Sequence, residues 1–396
     1  MTETSIAAIS SPSVLARRVA ITLLLLAASR IPDAILIPGI DPAQLPQEIP
    51  ASALVRFSLG ALGLTPYVTA WVIVHLLHAF MPFGHGTDRR DAARAERPER
   101  AIRCLTLVLA LLQGIVLGGV IDKLGGTGHP IVAEGAMAFP LIAGLSCAAN
   151  VFFLIWLGDK ISRHGIGFGL PLLIAAPILT ALPQYVGWLT EMLRAGATND
   201  NQMLALMTAL IATVFATTLV AGARYLLPVR HSGNGSIHEA GLSLIPGGIL
   251  APLCTVMVMR FLTQEAEMVA RAFDPSFAGF PVNMGLVALL LCPVAFAVSA
   301  IAFGPVMHDP ADLAEAVQRD DGTLPDIPIG AWIATSVQRK AIIASAIGGS
   351  ILALFVELPE LVAMALGVRT PITGSQLMLV ALVALACQGR GKPSQR

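Results

Sequence analysis

Few residues of this 396-residue chain stand where they could do chemistry. His75 and His78 form a His-x-x-His pair that one helix face can present to a metal, but no third ligand lies nearby. Glu134 and Glu357 fall at the ends of apolar segments, and Arg260 and Glu265 near the end of another. Transporters coupled to protons or ions hold carboxylates, histidines or lysines inside their membrane helices. Here aliphatic residues occupy the segment centres. Gln113 is a polar exception, an amide that needs an interhelical partner. Cys104, Cys147, Cys254, Cys292 and Cys387 lie in or beside apolar segments without a CxxC, and read as small buried hydrophobes. The run Asp309, Asp312, Glu315, Arg319, Asp320 and Asp321 reads as a solvated loop face. With no phosphate-cradling loop, nucleophile elbow or paired catalytic carboxylates, the expectation is a non-enzyme without cofactor or metal.

The elements that carry these residues are membrane helices. The chain is 55% hydrophobic and 13% charged, against about 25% charged in a soluble domain, and its mean hydropathy is +0.76. Ten windows reach the roughly 20 apolar residues that a span requires: 16–37, 60–80, 102–121, 135–157, 169–188, 203–227, 242–263, 283–306, 338–357 and 371–387. The first could pass for a signal peptide, "ARRVAITLLLLAASRIP", but leads into many more spans and reads as the first helix. No β-type alternation appears, so the expected class is an all-α membrane protein and a barrel is excluded.

Basic residues predict the orientation. Arg89, Arg90, Arg94, Arg97, Arg100 and Arg103 crowd the 81–103 loop. Arg17, Arg18, Lys160, Arg163, Arg224, Arg230, Arg319, Arg339, Lys340 and the tail Arg390, Lys392 and Arg396 fall on the same side. Lys123, Arg194, Arg271 and Arg369 are scattered on the other. Both termini are therefore expected in the cytoplasm. The stretch "WLGDKISRHGIGFGLPLLI" then becomes a cytoplasmic turn between the fourth and fifth helices, held by its basic residues. Gly165, Gly167 and Gly169 let the chain turn and begin a helix at close quarters.

Two segments read as broken helices. The second window carries Gly60, Gly63 and Pro66; the seventh carries Pro246, Gly247, Gly248 and Pro252. At membrane depth, freed backbone is tolerated only beside protein or a water-filled cavity. Breaks five helices apart predict two inverted halves, 1–190 with helices one to five and 191–396 with helices six to ten.

These residues resemble a known family. "WLGDKISRHGIGFGLPLLI" is similar to the fourth-to-fifth helix junction of the SecY-type protein-conducting channel, and "SLGALGLTPYVTAWVIVHLL" to its second helix. "RIPDAILIPGIDP", "RAIRCLTLVLALLQGI" and "DPADLAEAVQRDDGTLPDIPIG" resemble the end of its first helix, its third helix and its 8/9 loop. The resemblance implies a clamshell hinged at the 5/6 loop with a lateral gate between helices two and seven. It places Thr65, Gln113, Pro246 and Gly247 at that gate. It also implies an aliphatic ring around a moving polypeptide, from Leu64, Val68, Ile174 and Ile178. Ile249 (or Gly248) and Met378 (or Leu379) complete it. The partners implied are SecE-like and SecG-like small membrane subunits, a SecA motor ATPase or a ribosome, secretory polypeptides and the bilayer. Arg230, Arg319, Asp326 and Pro328 lie in the loops that a motor or ribosome would grip.

The chain departs from the pattern in three places. Segment 40–56 contains three prolines where the family carries a plug helix. The 229–241 loop is short, and Pro328 of "PDIPIG" replaces an expected arginine. The function expected is the pore subunit of a translocation channel in the bacterial cytoplasmic membrane. The alternatives are a secondary transporter on an inverted-repeat fold and a translocase paralogue without transport.

Overall fold

The computed structural model describes residues 12–45, 54–80, 92–124, 132, 138–166, 168–196, 199–231, 237–243, 294, 322–323, 332–367 and 374–389. Helices α1 (Pro12–Ala28), α2 (Thr65–Phe80), α3 (Ala92–Leu124), α4 (Phe139–His164), α5 (Gly169–Arg194) and α6 (Asp200–Gly222) match the first six windows. Helices α7 (Trp332–Ala365) and α8 (Gly374–Gly389) match the ninth and tenth. Of windows 242–263 and 283–306 only residues 242–243 and 294 are described, so those two helices lie outside the described residues. Among the described residues five helices are long and apolar enough to cross a membrane, with two shorter apolar ones at Leu59–His75 and Gly374–Leu385.

Three boundaries differ from the windows, each for a local reason. α1 stops at Ala28 rather than 37. Pro32 cannot extend the helix, and the chain tightens into a 3-10 turn at Ile31–Ala34. α3 begins at Ala92, so much of the predicted 81–103 loop is helix. Its "AARAERPERA" is rich in the strong helix formers Ala, Arg and Glu. α6 stops at Gly222 and a strand starts at Arg224. The window had merged two elements, because a short apolar run such as Tyr225–Leu227 does not distinguish helix from strand.

That strand belongs to a small sheet carried by the loops of the otherwise helical fold. β1 (Arg224–His231) pairs antiparallel with β2 (Ile237–Ser243), in register from Arg224↔Ser243 to Arg230↔Ile237. β3 (Gly322–Thr323) adds to the other side of β1 through Arg230↔Thr323 and His231↔Gly322. Two loops far apart in sequence are thereby joined in one sheet of order β2-β1-β3. The strands escaped notice because "RYLLPVRH" has no alternation and contains Pro228.

Three helices, α1, α3 and α5, pack around α4. Its inward face recurs at helical spacing, from Phe139 through Ala143, Cys147, Asn150 and Leu154 to Ile161. Of the five long spans it is the most enclosed, 56% buried against 22–39% for the others. α1, α3 and α5 lie on α4, and α2 lies on α3; α7 and α8 lie on α6, and α8 also reaches α5. The outward aliphatics are bare, with Leu23, Leu24, Leu204, Ile211, Phe215 and Leu354 each more than 60% exposed. In a chain of this hydropathy that surface is solvated by lipid tails. Without a hydrophobic drive between helices, close approach of small residues must hold them together. A Cβ on Gly114 would come 2.7 Å from the Gly144 Cα, and one on Gly118 would come 2.7 Å from the Pro140 Cα. Gly118→Val is expected to force α3 from α4 at a cost of about 1–3 kcal/mol. Thermal unfolding of the purified variant in detergent measures it; an unchanged midpoint would contradict the contact.

Candidate pore constriction and gate

The α4–α5 hairpin is fixed by side chains that flank its glycines. The Gly165 N–H donates to the Ile161 carbonyl at 2.8 Å and closes α4. The next amide, Ile166, donates to the Thr22 Oγ1 of α1 at 2.9 Å, and Gly169 donates to the Ser162 Oγ at 2.9 Å. The first N–H groups of a helix have no partner within it, and the Ser162 hydroxyl satisfies that of Gly169, the first residue of α5. A Cβ on Gly169 would collide with the Gly158 carbonyl. The glycines therefore bring α5 against α4 at its first residue. Lys160 sits 5.5 Å above the Trp156 ring, a cation–π contact that steadies the basic turn. α5 is thus aimed by its first turn.

The approach to α2 is irregular. Residues 35–37 pair with 57–59: Ile37 N–H donates to Phe57 O and Leu59 N–H to Ile35 O, each at 2.9 Å. A 3-10 turn follows at Leu59–Leu62 and ends at Gly63, with φ +52° and ψ −136°. A side chain would strain that conformation. α2 then starts at Thr65, its first turn closed by the Val68 N–H on the Leu64 carbonyl at 3.0 Å. At the same end of the fold Arg30 pairs with Asp33 at 3.0 Å and donates to the Thr180 Oγ1 of α5 at 3.2 Å. Burial pushes the Asp33 carboxyl above its ordinary value, and the neighbouring Arg30 opposes that rise.

These devices bring aliphatic residues from three helices together. Leu64 and Val68, 8% and 2% exposed, share one apolar cluster with Leu173 of α5 and Leu379 of α8, and Ile174 packs against it. Ile178 is half-buried one turn beyond Ile174. Met378 is fully buried in a different cluster, with Val220 of α6 and Leu352 and Val356 of α7. Adjacent helix positions point about 100° apart. Of the two tenth-helix candidates, Leu379 therefore belongs to the cluster that holds Leu64 and Val68, while Met378 belongs to the other.

The remaining candidates divide. Thr65 and Gln113 are half-buried in α2 and α3. Pro246, Gly247, Ile249, Arg319, Asp326 and Pro328 lie outside the described residues, and Arg230 is placed as a strand position in β1. The His75 Nδ1 lies 2.7 Å from the Trp71 carbonyl and its ring packs on Trp71 at 4.6 Å. Among the described residues no three potential metal ligands come together. Sequence reasoning passed over Asn150, Thr22 and the Arg30–Thr180 tie, because each acts on a residue 91 to 150 positions away.

Comparison with known proteins agrees with this architecture. The SecY family model matches residues 58–387, most of the chain. The chain belongs to the SecY family. The protein translocase subunit SecY of Helicobacter pylori is 23% identical over 351 residues, covering 84% of this chain and 81% of that one. Its counterpart in Staphylococcus aureus is 25% identical over 406 residues, covering 92% and 90%. Among solved structures, a protein conducting channel superposes with a TM-score of 0.66 at 14% identity, covering 95% of this chain and 91% of that chain. Sec61 in the canine ribosome–channel complex superposes with a TM-score of 0.62 at 16% identity, covering 95% and 91%. At such identities the superpositions establish the fold, which is that of SecY and Sec61 channels.

Proposed function

We infer that this chain is the pore-forming subunit of a protein translocase. It would pass unfolded polypeptides across or into the bacterial cytoplasmic membrane, with both termini in the cytoplasm. The observation that carries the reading is the meeting of Leu64, Val68, Ile174 and Leu379 from three helices in one apolar cluster. Aliphatic walls can part around varied side chains and exclude ions by dewetting when closed. The ring proposed is Leu64, Val68, Ile174, Ile178 and Leu379, with Ile249 from the seventh helix. The halves 1–190 and 191–396 would hinge at the α5–α6 turn. α2, with Thr65, and α3, with Gln113, would face Pro246 and Gly247 across a lateral gate.

Partners follow from the same reading. A groove of about 490 Å³ lies between α5, α6 and α8, lined by Tyr185, Val186, Leu210, Val214, Phe215 and Leu377 among others. It is almost wholly apolar and takes residues from both proposed halves, as a seat for the single span of a SecE-like subunit must. A SecG-like subunit would complete the membrane assembly. A SecA motor or a ribosome would engage the 6/7 and 8/9 loops, which carry Arg230, Arg319, Asp326 and Pro328. Their pairing through β1 and β3 makes the two loops one surface.

A photocrosslinker tests both surfaces. At residue 64 or 174 it is expected to capture a stalled secretory chain, and at residue 214 a small single-span protein. Capture of lipid alone at 64 and 174 would overturn the channel reading. Orientation is checked separately by a cysteine placed at residue 85, which thiol reagents should reach only after cells are permeabilised.

A further inference from the structure

Asn150 is an amide on the inward face of α4, 5% exposed. Its Nδ2 donates to the Leu59 carbonyl at 3.0 Å, across 91 residues of sequence. Its Oδ1 is buried and meets no donor among the described residues. A half-paired amide in an apolar core is costly, since an unmade buried hydrogen bond forfeits its hydration without return. Packing alone would favour a leucine at this position, so the donor side of the amide calls for an explanation.

Leu59 supplies one. Its N–H is bound by Ile35 and its C=O by Asn150, so both backbone groups of one residue are fastened to different parts of the fold. Ser58 reinforces the site: its Oγ donates to Val55 O at 2.7 Å and accepts from Gly60 N–H at 3.1 Å. Four residues on stands Gly63 at φ +52°, and immediately after it Leu64 and then α2. The chain is therefore anchored at Leu59, free to pivot at a glycine, and rigid again from Thr65. Movement of α2 relative to α4 must be taken up between those points.

We propose that Asn150 is a positioning residue of the gate: by holding the Leu59 carbonyl to α4 it fixes the stationary side of the Gly63 pivot and keeps Leu64 and Val68 in the closed cluster. This rests on reading those two side chains as pore residues.

The test uses the full-length protein. Asn150→Leu keeps bulk and removes the donor, Asn150→Ala removes both, and Asn150→Gln keeps the amide. In planar bilayers the leucine and alanine variants are expected to raise resting conductance about tenfold, because a pivot freed of its anchor, worth about one net hydrogen bond, no longer holds α2 in the closed cluster. Hydrogen exchange of amides 58–64 should quicken by a similar factor while 143–157 stays protected. The glutamine variant should recover most of the wild-type behaviour in both measurements. Wild-type conductance and exchange in the leucine and alanine variants would overturn the proposal, and so would a glutamine variant as leaky as the leucine one. If Ile174→Lys leaks and Asn150→Leu does not, the anchoring role fails while the pore reading stands. If neither leaks, the pore reading falls and the gate role falls with it.

Discussion

Ile174→Lys is expected to turn a sealed protein into one that leaks ions, while reaching the membrane in near-normal amount. Ile174 packs on the cluster of Leu64, Val68 and Leu379 without being fully enclosed itself. If that cluster closes a pore, an ammonium placed there is hydrated whenever the pore opens and stripped of water whenever it shuts. A cation at the centre of an apolar span costs on the order of 2.5–3.5 kcal/mol on insertion scales. Spent against the closed state, that energy shifts an open–closed equilibrium by roughly 60- to 300-fold, at 1.4 kcal/mol per decade. A lipid-facing position behaves oppositely: the same charge would lower insertion and leave conductance alone. Single-channel recording of the purified variant, set beside its yield in membranes, separates the two outcomes. Reduced yield without leak would place Ile174 against lipid and remove α5 from the ring.

Much of the helical frame was legible because lipid imposes a long, coarse signal. A span of about 20 apolar residues survives local ambiguity, and α4 and α5 stand where 135–157 and 169–188 predicted them. The hairpin between them was legible too, since glycines beside basic residues have a mechanism. What the sequence could not show was which distant hydroxyl would meet them: Thr22 lies 144 residues from Ile166. Strand β1 was hidden inside a hydrophobic window, because Tyr225, Leu226 and Leu227 continue the apolar pattern of α6 until Pro228. Asn150 was passed over since a single amide among aliphatics has no periodicity. Its meaning lies in the carbonyl it reaches, and Leu59 is 91 residues away. A motif carries the register of the proposed ring at Leu64 and Ile174. In α8 "SQLMLVAL" gives no such landmark between Met378 and Leu379.

That one-residue ambiguity yields the sharpest contrast available. Met378 is 1% exposed among Leu352, Ala353 and Val356 of α7 and Val220 of α6. Its neighbours close on every side, and beside them the Thr213 Oγ1 donates to the Phe355 carbonyl at 2.7 Å to tie α6 to α7. A lysine at 378 would have no cavity to enter, and an uncompensated buried charge destabilises by about 3–5 kcal/mol, a large share of a typical stability of about 5–15 kcal/mol. Met378→Lys is therefore expected to fold poorly and to be cleared from the membrane. Leu379 is also buried, at 4%, but among the residues proposed to part. Leu379→Lys should fold, because opening the ring gives its ammonium water, and should leak as Ile174→Lys does. Size-exclusion profiles in detergent and conductance in planar bilayers, taken on both variants together, decide the matter. A leaky, well-folded Met378→Lys beside a silent Leu379→Lys would move the α8 contribution back to Met378 and require α8 to turn by about 100° about its axis.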